Sequence, residues 1–258
     1  MIRRLVVPSI VLTVVAGLFL GLVYPLVVTG IGRAAFADRS NGTFVTRNGK
    51  VVGSALIGQE FLDDKGNPDP KYFQSRPSAA GNGYDATASG ATNLGPSDPK
   101  LVGFQPGFNS VDLDGNASKT NPFATKDDPY CVPTDDQGTA VTSPSAGQKY
   151  AKADDGSYVC YPNTVPERVL AYRQLNGLGN NVQVPVDAVT ASASGLDPDI
   201  SVANAQMQAD RVAKTRGLPV SAVLALIKRH TNQPQLGFIG EKTVNVLDLN
   251  LALDALHP

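Results

Sequence analysis

The feature that most constrains this chain is an uncharged stretch of 28 residues from Leu5 to Gly32, preceded by Arg3-Arg4. A helix rises about 1.5 Å per residue, so roughly 20 apolar residues cross the hydrocarbon core of a bilayer. Leu5 to Val28 therefore predicts one transmembrane helix. The basic pair predicts a cytoplasmic N-terminus of residues 1–4, which leaves residues 29–258 on the outer side of the membrane.

A cleaved signal peptide is the alternative for this segment. Ala35-Phe36-Ala37 has the small-x-small pattern of a cleavage site. However, the apolar stretch is longer than the roughly 7–15 residues of a signal-peptide core, and Arg33 precedes the candidate cleavage site. We therefore expect a retained anchor. Within it, Gly17 and Gly21 have the spacing that lets a second helix approach closely, although glycine is also common in membrane helices.

The composition of the remaining chain limits the possible functions. The net charge is −1, so the sequence has no excess of basic residues and nucleic acid is an unexpected partner. The two cysteines, Cys131 and Cys160, favour a disulfide in an outer compartment. The two histidines, His230 and His257, are not near a cysteine in sequence, so we expect no metal site.

The outer part is predicted to be a mixed α/β domain with a loop-rich insertion. Asn48-Gly49 predicts a β-hairpin turn, and residues 62–100 lack helical or strand periodicity, which leaves an ordered or a disordered loop open. Residues 104–165 contain eight Asp, four Lys, six Pro and five Gly. Such a stretch predicts an acidic surface insertion that buries little apolar area.

The C-terminal third carries the clearest secondary-structure patterns. Predicted helices cover residues 166–174, 202–216, 219–230 and 248–256, with Ser201 as an N-cap and Gly217 as a helix end. In the second of these helices the apolar face is Val202, Ala205, Ala209, Val212 and Ala213, and the other face is Asn204, Gln208, Arg211 and Lys214. Phe238-Ile239 and Val244-Asn245-Val246 predict short strands.

Catalytic patterns are weak throughout the chain. Ser192 and Ser194 lie in ASASG, which lacks the leading glycine of a nucleophile elbow. Asp197-Pro198-Asp199 could offer carboxylates for acid–base chemistry or a cation, but turn and cap hydrogen bonds are the ordinary role of this pattern. A phosphate-binding loop of the G-x-x-x-x-G-K-[ST] type does not occur in the sequence. We therefore expect no catalytic and no metal-binding residues, and the sequence marks no cofactor-binding residue.

A series of unusual strings resembles a known family. In order they are LIGQEF (56–61), YFQSRPSA (72–79), SGATNLGPSDPKL (89–101), VPVDAVTASASGLDPDIS (184–201), RVAKTRGL (211–218) and LGFIGEKTVNVLDLNLALDAL (236–256). Together with one N-terminal membrane helix, this order resembles KdpC, the C subunit of the Kdp potassium-transporting P-type ATPase. The resemblance covers residues 1–101 and 165–256, and it departs from the family at the inserted segment and at Asp210.

The resemblance implies a non-catalytic accessory subunit of an ATP-driven potassium-uptake complex in the plasma membrane. Its implied partners are a potassium-selective pore subunit, an ATP-hydrolysing P-type subunit and a small accessory subunit. The family is described as a catalytic chaperone that raises the ATP affinity of the ATPase subunit. The predicted orientation conflicts with direct ATP contact, because Gln59 and Ser194-Gly195 would face outward. The alternative function is a membrane-anchored extracytoplasmic solute-binding protein.

Overall fold

The structure is a computed structural model that describes residues 2–103, 121, 123–124, 130–141 and 149–256. His257 therefore lies outside the described residues, as does much of the predicted insertion. The chain divides into two compact units, Met1–Leu56 and Ile57–Pro258.

The first unit begins with one long exposed helix. Helix α1 (Ile2–Leu18) continues through a π-helical turn, Phe19–Val23, into α2 (Tyr24–Ala35). Residues Arg3–Ala35 are long and apolar enough to cross a membrane, by length and composition. The helix thus contains the predicted span, residues 5–28, and extends beyond both of its ends.

The π-helical turn has a physical cause in Pro25. A proline ring clashes with the carbonyl four residues earlier, here that of Gly21, and removes one N–H from the helix ladder. The neighbouring Tyr24 N–H instead donates to the carbonyl of Phe19, five residues earlier. This widened turn keeps the backbone hydrogen-bonded next to the proline, as an apolar environment requires.

A short helix and a hairpin complete the first unit. Helix α3 (Ala37–Ser40) precedes strands β1 (Phe44–Arg47) and β2 (Lys50–Ser54), which pair antiparallel. Asn48 and Gly49 have φ angles of +51° and +76°. Both central residues of a type I′ turn need positive φ, so the predicted hairpin turn is confirmed.

The second unit contains a small sheet and most of the helices. Strands β3 (Asp199–Ser201), β4 (Thr231–Asn232) and β5 (Thr243–Asn245) form an antiparallel sheet in the order β3-β5-β4. The α-helices in the described part of this unit are α4 (Pro99–Val102), α5 (Val165–Asn176), α6 (Val202–Arg216), α7 (Val220–Arg229) and α8 (Val246–Asp254). The mixed α/β prediction is confirmed for this part of the chain.

The main core lies between this sheet and helices α6, α7 and α8. It includes Phe73, Ile200, Ala205, Ala209, Val212, Val223, Ile227, Val244, Leu249 and Leu253. Phe73 comes from the segment without periodicity, whereas the others belong to the predicted C-terminal core. The loop segment is therefore anchored in the core by one aromatic side chain.

The cap residues of the helices explain their boundaries. The Ser201 hydroxyl accepts a hydrogen bond from the Asn204 N–H, and Gly217 ends α6 in the left-handed region. Both predictions are confirmed. Helix α5 begins after a capping box in which Thr164 and Glu167 each satisfy the other's backbone N–H. The predicted strand at Phe238-Ile239 is wrong, because Phe238 lies in a turn and is 77% exposed, while Ile239 forms only an isolated antiparallel bridge with Gln235.

Residues 62–100 follow an irregular path with little regular structure. A 3-10 turn at Ala86–Ala88 and α4 are the helical pieces, and Asp85 and Asp98 cap them through hydrogen bonds to backbone N–H groups. Of the two alternatives that the sequence left open for residues 62–100, the structure therefore supports the ordered loop. In this segment several backbone N–H groups are bonded by side chains such as Asp85 and Asp98, and not by a neighbouring strand.

The described part of residues 104–165 contains a small aromatic cluster. Phe123 is fully buried, with its ring centroid 5.0 Å from that of Tyr150 and 5.1 Å from that of Tyr158. The structure joins Cys131 and Cys160 beside them, with Cα atoms 5.1 Å apart. The expectation that this segment buries little apolar area is thus wrong for these residues, because aromatic rings replace the missing aliphatic ones.

Candidate functional site

Three distant loops of the second unit meet at one place, which we call the motif junction (residues 58–61, 74–90 and 190–197). The Gly58 N–H donates to the Leu196 carbonyl at 3.0 Å, and the Gly90 N–H donates to the Ser194 carbonyl at 2.9 Å. The Ser78 hydroxyl donates to the Gly195 carbonyl at 2.6 Å. Parts of four of the unusual strings, 56–61, 72–79, 89–101 and 184–201, therefore come together in space.

Gly195 is required at the centre of the motif junction. Its φ is +69°, a conformation that side chains with a Cβ rarely adopt. A Cβ at this position would lie 2.8 Å from the Ala80 nitrogen and 2.9 Å from the Gly90 oxygen. The loops can approach this closely only because residue 195 has no side chain.

An ion pair links two of the loops. Arg76 Nη1 lies 2.9 Å from Asp197 Oδ2, and its Nη2 faces the Thr190 and Ala191 carbonyls at 3.5 and 3.4 Å. Asp197 Oδ1 also accepts a hydrogen bond from the Asp199 N–H at 3.1 Å. The turn prediction for Asp197-Pro198-Asp199 is confirmed, and the ion pair is a further role that the pattern did not indicate.

A cavity of about 650 Å³ lies beside the motif junction. Its polar lining residues include Glu60, Gln74, Arg76, Tyr84, Arg168 and Tyr172. The Tyr84 hydroxyl donates to the Arg76 carbonyl at 2.8 Å, and burial raises the pKa of Tyr84 to about 12. Arg168 Nη1 donates to the Val189 carbonyl at 3.1 Å, and burial lowers the pKa of this guanidinium. The cavity therefore combines two arginines with one carboxylate.

The polar face of α6 is buried next to this cavity. Asn204 and Gln208 are 1% exposed and Arg211 is 8% exposed, whereas Lys214 on the same face is exposed. Arg211 donates to four acceptors: Pro70 O, Tyr72 O, Asn176 Oδ1 and Gln208 Oε1. Burial lowers the pKa of Arg211 to about 10.

This polar face joins the long loop, α5 and α6. The Gln208 side chain accepts from the Gln74 N–H at 2.7 Å and donates to the Gln74 carbonyl at 3.1 Å. The Tyr172 hydroxyl donates to Asn204 Oδ1 at 2.8 Å. Side chains on a helix thus act here as partners of an irregular backbone, which positions one wall of the cavity.

The serine candidates have structural roles in the described part of the chain. The Ser194 hydroxyl accepts from the Leu196 N–H at 3.1 Å, and the Ser192 hydroxyl lies 3.5 Å from that of Ser194. His230 follows the end of α7. Among the described hydrogen bonds, none joins Ser192 or Ser194 to His230. Within the described residues, no group of three or more His, Cys, Asp or Glu is placed to hold a metal.

The remaining sequence candidates are not among the residues that line the cavity. The Gln59 carbonyl accepts from the Ser75 hydroxyl at 2.9 Å. Gly17 and Gly21 lie on the long N-terminal helix, where a Cβ at either position would meet no described atom within 4 Å. Gly21 belongs to the π-helical turn. The cavity residues Gln74, Arg76, Tyr84 and Arg168 were not predicted individually, although YFQSRPSA contains two of them.

Comparisons with known proteins agree with the family resemblance that the unusual strings of the sequence indicate. The family described as "KdpC: K+-transporting ATPase, c chain" matches residues 6–107 and 115–255, which extends through most of the predicted insertion. A protein of Mycobacterium tuberculosis named "Potassium-transporting ATPase KdpC subunit" is 40% identical over 254 residues, covering 98% of this chain and all of the relative.

Relatives from other bacteria carry the same name. The protein from Koribacter versatilis is 37% identical over 256 residues, covering 99% of this chain and 97% of the relative. The protein from Caulobacter vibrioides is 40% identical over 246 residues, covering 94% and 90%. The chain therefore belongs to the KdpC family, the c chain of K+-transporting ATPases.

Proposed function

We propose that this chain is a non-catalytic, membrane-anchored accessory subunit of an ATP-driven potassium-uptake complex. It assembles and stabilises the complex and couples its pore and ATPase subunits. The observation that carries the proposal is family membership over nearly the whole chain. The one long apolar helix found among the described residues supports an anchor. Deletion of the gene should abolish growth at limiting potassium, and a plasmid copy should restore it; unimpaired growth of the deletion strain would contradict the proposal.

The proposed orientation has the N-terminus in the cytoplasm and residues 29–258 outside. Arg3-Arg4 and the uncharged stretch support it. A cysteine introduced at Ser40 should react with a membrane-impermeant reagent in intact cells. Labelling that appears only after lysis would reverse the orientation, and a mature N-terminus at Asp38 would favour the cleaved signal peptide.

The orientation determines how ATP and potassium enter the proposal. ATP acts through the ATPase subunit, and potassium is the cargo of the complex. Gln59 and Ser194-Gly195 would lie on the outer side, away from cytoplasmic ATP. Their carbonyls accept hydrogen bonds from Ser75, Ser78 and Gly90 within the domain, which supports a structural role.

The proposed contact within the membrane is the Gly17/Gly21 face. Apolar helices in lipid gain little from the hydrophobic effect, so close packing has to provide the attraction. Gly17→Leu with Gly21→Leu should insert normally but reduce recovery of the partner subunits. Gly30→Leu is the matched control on the same helix. Equal recovery from both variants would place the contact elsewhere.

A disulfide between Cys131 and Cys160 is also part of the proposal. The two Cα atoms lie 5.1 Å apart next to the aromatic cluster, a separation that supports a bond between the sulfur atoms. The proposed outer location supplies an oxidising environment. Titration of the denatured, unreduced protein should find no free thiol, and two thiols per chain would reject the pairing.

The second candidate function is an anchored solute-binding protein that acts without partners. The cavity beside the motif junction is the observation that favours it, because ligand sites are concave and have a few convergent polar groups. The two functions predict different proteins in the purified material. An accessory subunit is isolated with a pore subunit and an ATPase, whereas a solute-binding protein is isolated without them.

A further inference from the structure

Two guanidinium groups lie along the same wall of the cavity. Arg168 Nη1 donates to the Val189 carbonyl at 3.1 Å, and Arg76 Nη2 faces the next two carbonyls, those of Thr190 and Ala191. Both arginines line the cavity. Both side chains are thus anchored to consecutive peptide units of one loop, and both are partly removed from water.

The positive charge of these groups is only partly neutralised. Arg76 pairs with Asp197 at 2.9 Å, whereas in the described part of the chain Arg168 has no carboxylate within salt-bridge distance. The carboxylate of the neighbouring Glu167 is used in the capping box at Thr164. One N–H of Arg76, that of Nε, is buried without a hydrogen-bond partner among the described groups. An unsatisfied donor beside a second cation is a costly arrangement unless an acceptor arrives.

We propose that this cavity binds a small solute with an oxyanion head group, a carboxylate or a phosphate, between Arg168 and Arg76. Planar guanidinium groups match such oxygens in geometry and charge. The volume of about 650 Å³ lies within the usual range of ligand sites. Glu60 also lines the cavity, so it disfavours a second negative group and favours a cationic or neutral tail. The site does not depend on the assembly role proposed above.

The test uses the full chain in detergent. Equilibrium dialysis with labelled inorganic phosphate and, separately, labelled 4-aminobutyrate, which has one carboxylate and a cationic tail, measures binding, with chloride keeping the ionic strength constant. At least one probe should bind saturably. The two probes separate a phosphate from a carboxylate preference, and saturable binding of either supports the proposal.

Arg168→Gln should weaken this binding about tenfold or more, because it removes a charged hydrogen-bond donor. Arg173→Gln is the matched control. Arg173 lies on the same helix and also binds a loop carbonyl, that of Val182 at 2.6 Å, but does not line the cavity. Equal binding by the two variants, or no saturable binding of either probe to the wild-type chain at millimolar concentration, would overturn the proposal. Unchanged helical circular dichroism of both variants verifies that they fold.

Discussion

Replacement of Arg211 by methionine is the sharpest test of the buried polar face. Methionine keeps most of the aliphatic volume but removes every donor and the charge. Gln208 Oε1 still accepts from the Gln74 N–H, and the Tyr72 carbonyl still accepts from the Gln74 side chain. In the described part of the chain, Pro70 O and Asn176 Oδ1 lose their hydrogen bond without another donor in reach.

The expected loss of stability follows from these two acceptors. Each buried acceptor left without a partner costs about 1–3 kcal/mol. Burial lowers the pKa of Arg211 to about 10, which means that the folded protein disfavours the charged guanidinium. Its removal therefore offsets part of the loss. We expect Arg211→Met to lower the free energy of unfolding by about 2–4 kcal/mol.

The assay is denaturant unfolding of the detergent-solubilised chain, monitored by the near-ultraviolet circular dichroism of its tyrosines. Lys214→Met is the matched control, because Lys214 lies one turn further along α6 and is exposed. A surface change of this kind stays within about 0.5 kcal/mol. If Arg211→Met and Lys214→Met unfold at the same denaturant concentration, the buried hydrogen bonds of α6 contribute no net stability and the reasoning fails.

Three further predictions address other parts of the second unit. Gly195→Ala should lower the free energy of unfolding by about 1–3 kcal/mol, because the new Cβ would meet the backbone of Ala80 and Gly90. The control Gly95→Ala should change the free energy of unfolding very little, because a Cβ there meets no atom within 4 Å. Equal unfolding midpoints of the two variants would refute this prediction. The folded pKa of Tyr84, about 12, lies above its ordinary value of 10.0. The contribution of neutral Tyr84 to the free energy of unfolding is therefore complete below pH 10 and is lost between pH 10 and pH 12, by at most about 1.4 kcal/mol per pH unit. Tyr84→Phe should make the free energy of unfolding fall less steeply over this pH range, as measured by denaturant unfolding at several pH values. Cys131→Ser with Cys160→Ser should destabilise the segment around the aromatic cluster by about 3–4 kcal/mol while preserving the main core; protease accessibility near Tyr150 that does not change would contradict it.

Local patterns predicted the C-terminal elements because their signals are contained in a few adjacent residues. Ser201 and Gly217 mark the ends of α6 by their own backbone chemistry, and Asn48-Gly49 specifies its turn in the same way. Phe238-Ile239 was misassigned because the pairing here ends within one tight turn, in which Ile239 forms a single bridge with Gln235, four residues earlier. Gly237 and Gly240, both with positive φ, turn the chain at this point instead.

The candidate site was much harder to predict, because its contacts join residues far apart in sequence. Arg76 meets Asp197 across 121 positions, and Gln74 meets Gln208 across 134. The polar residues of α6 have the spacing of a helix face, but spacing does not reveal whether water or an irregular loop covers that face. Resemblance to a family indicated which strings matter, whereas the structure identified the residues that meet.

Recovery of the complex from native membranes tests the central claim most directly. An affinity-tagged copy of this chain, expressed from its own promoter under potassium limitation, is solubilised in mild detergent and purified. We expect a pore subunit and an ATP-hydrolysing subunit to copurify in fixed proportion, and we expect the purified material to hydrolyse ATP. Purification of the chain without these two subunits, from cells that contain them, would contradict the accessory role and favour an independent solute-binding protein.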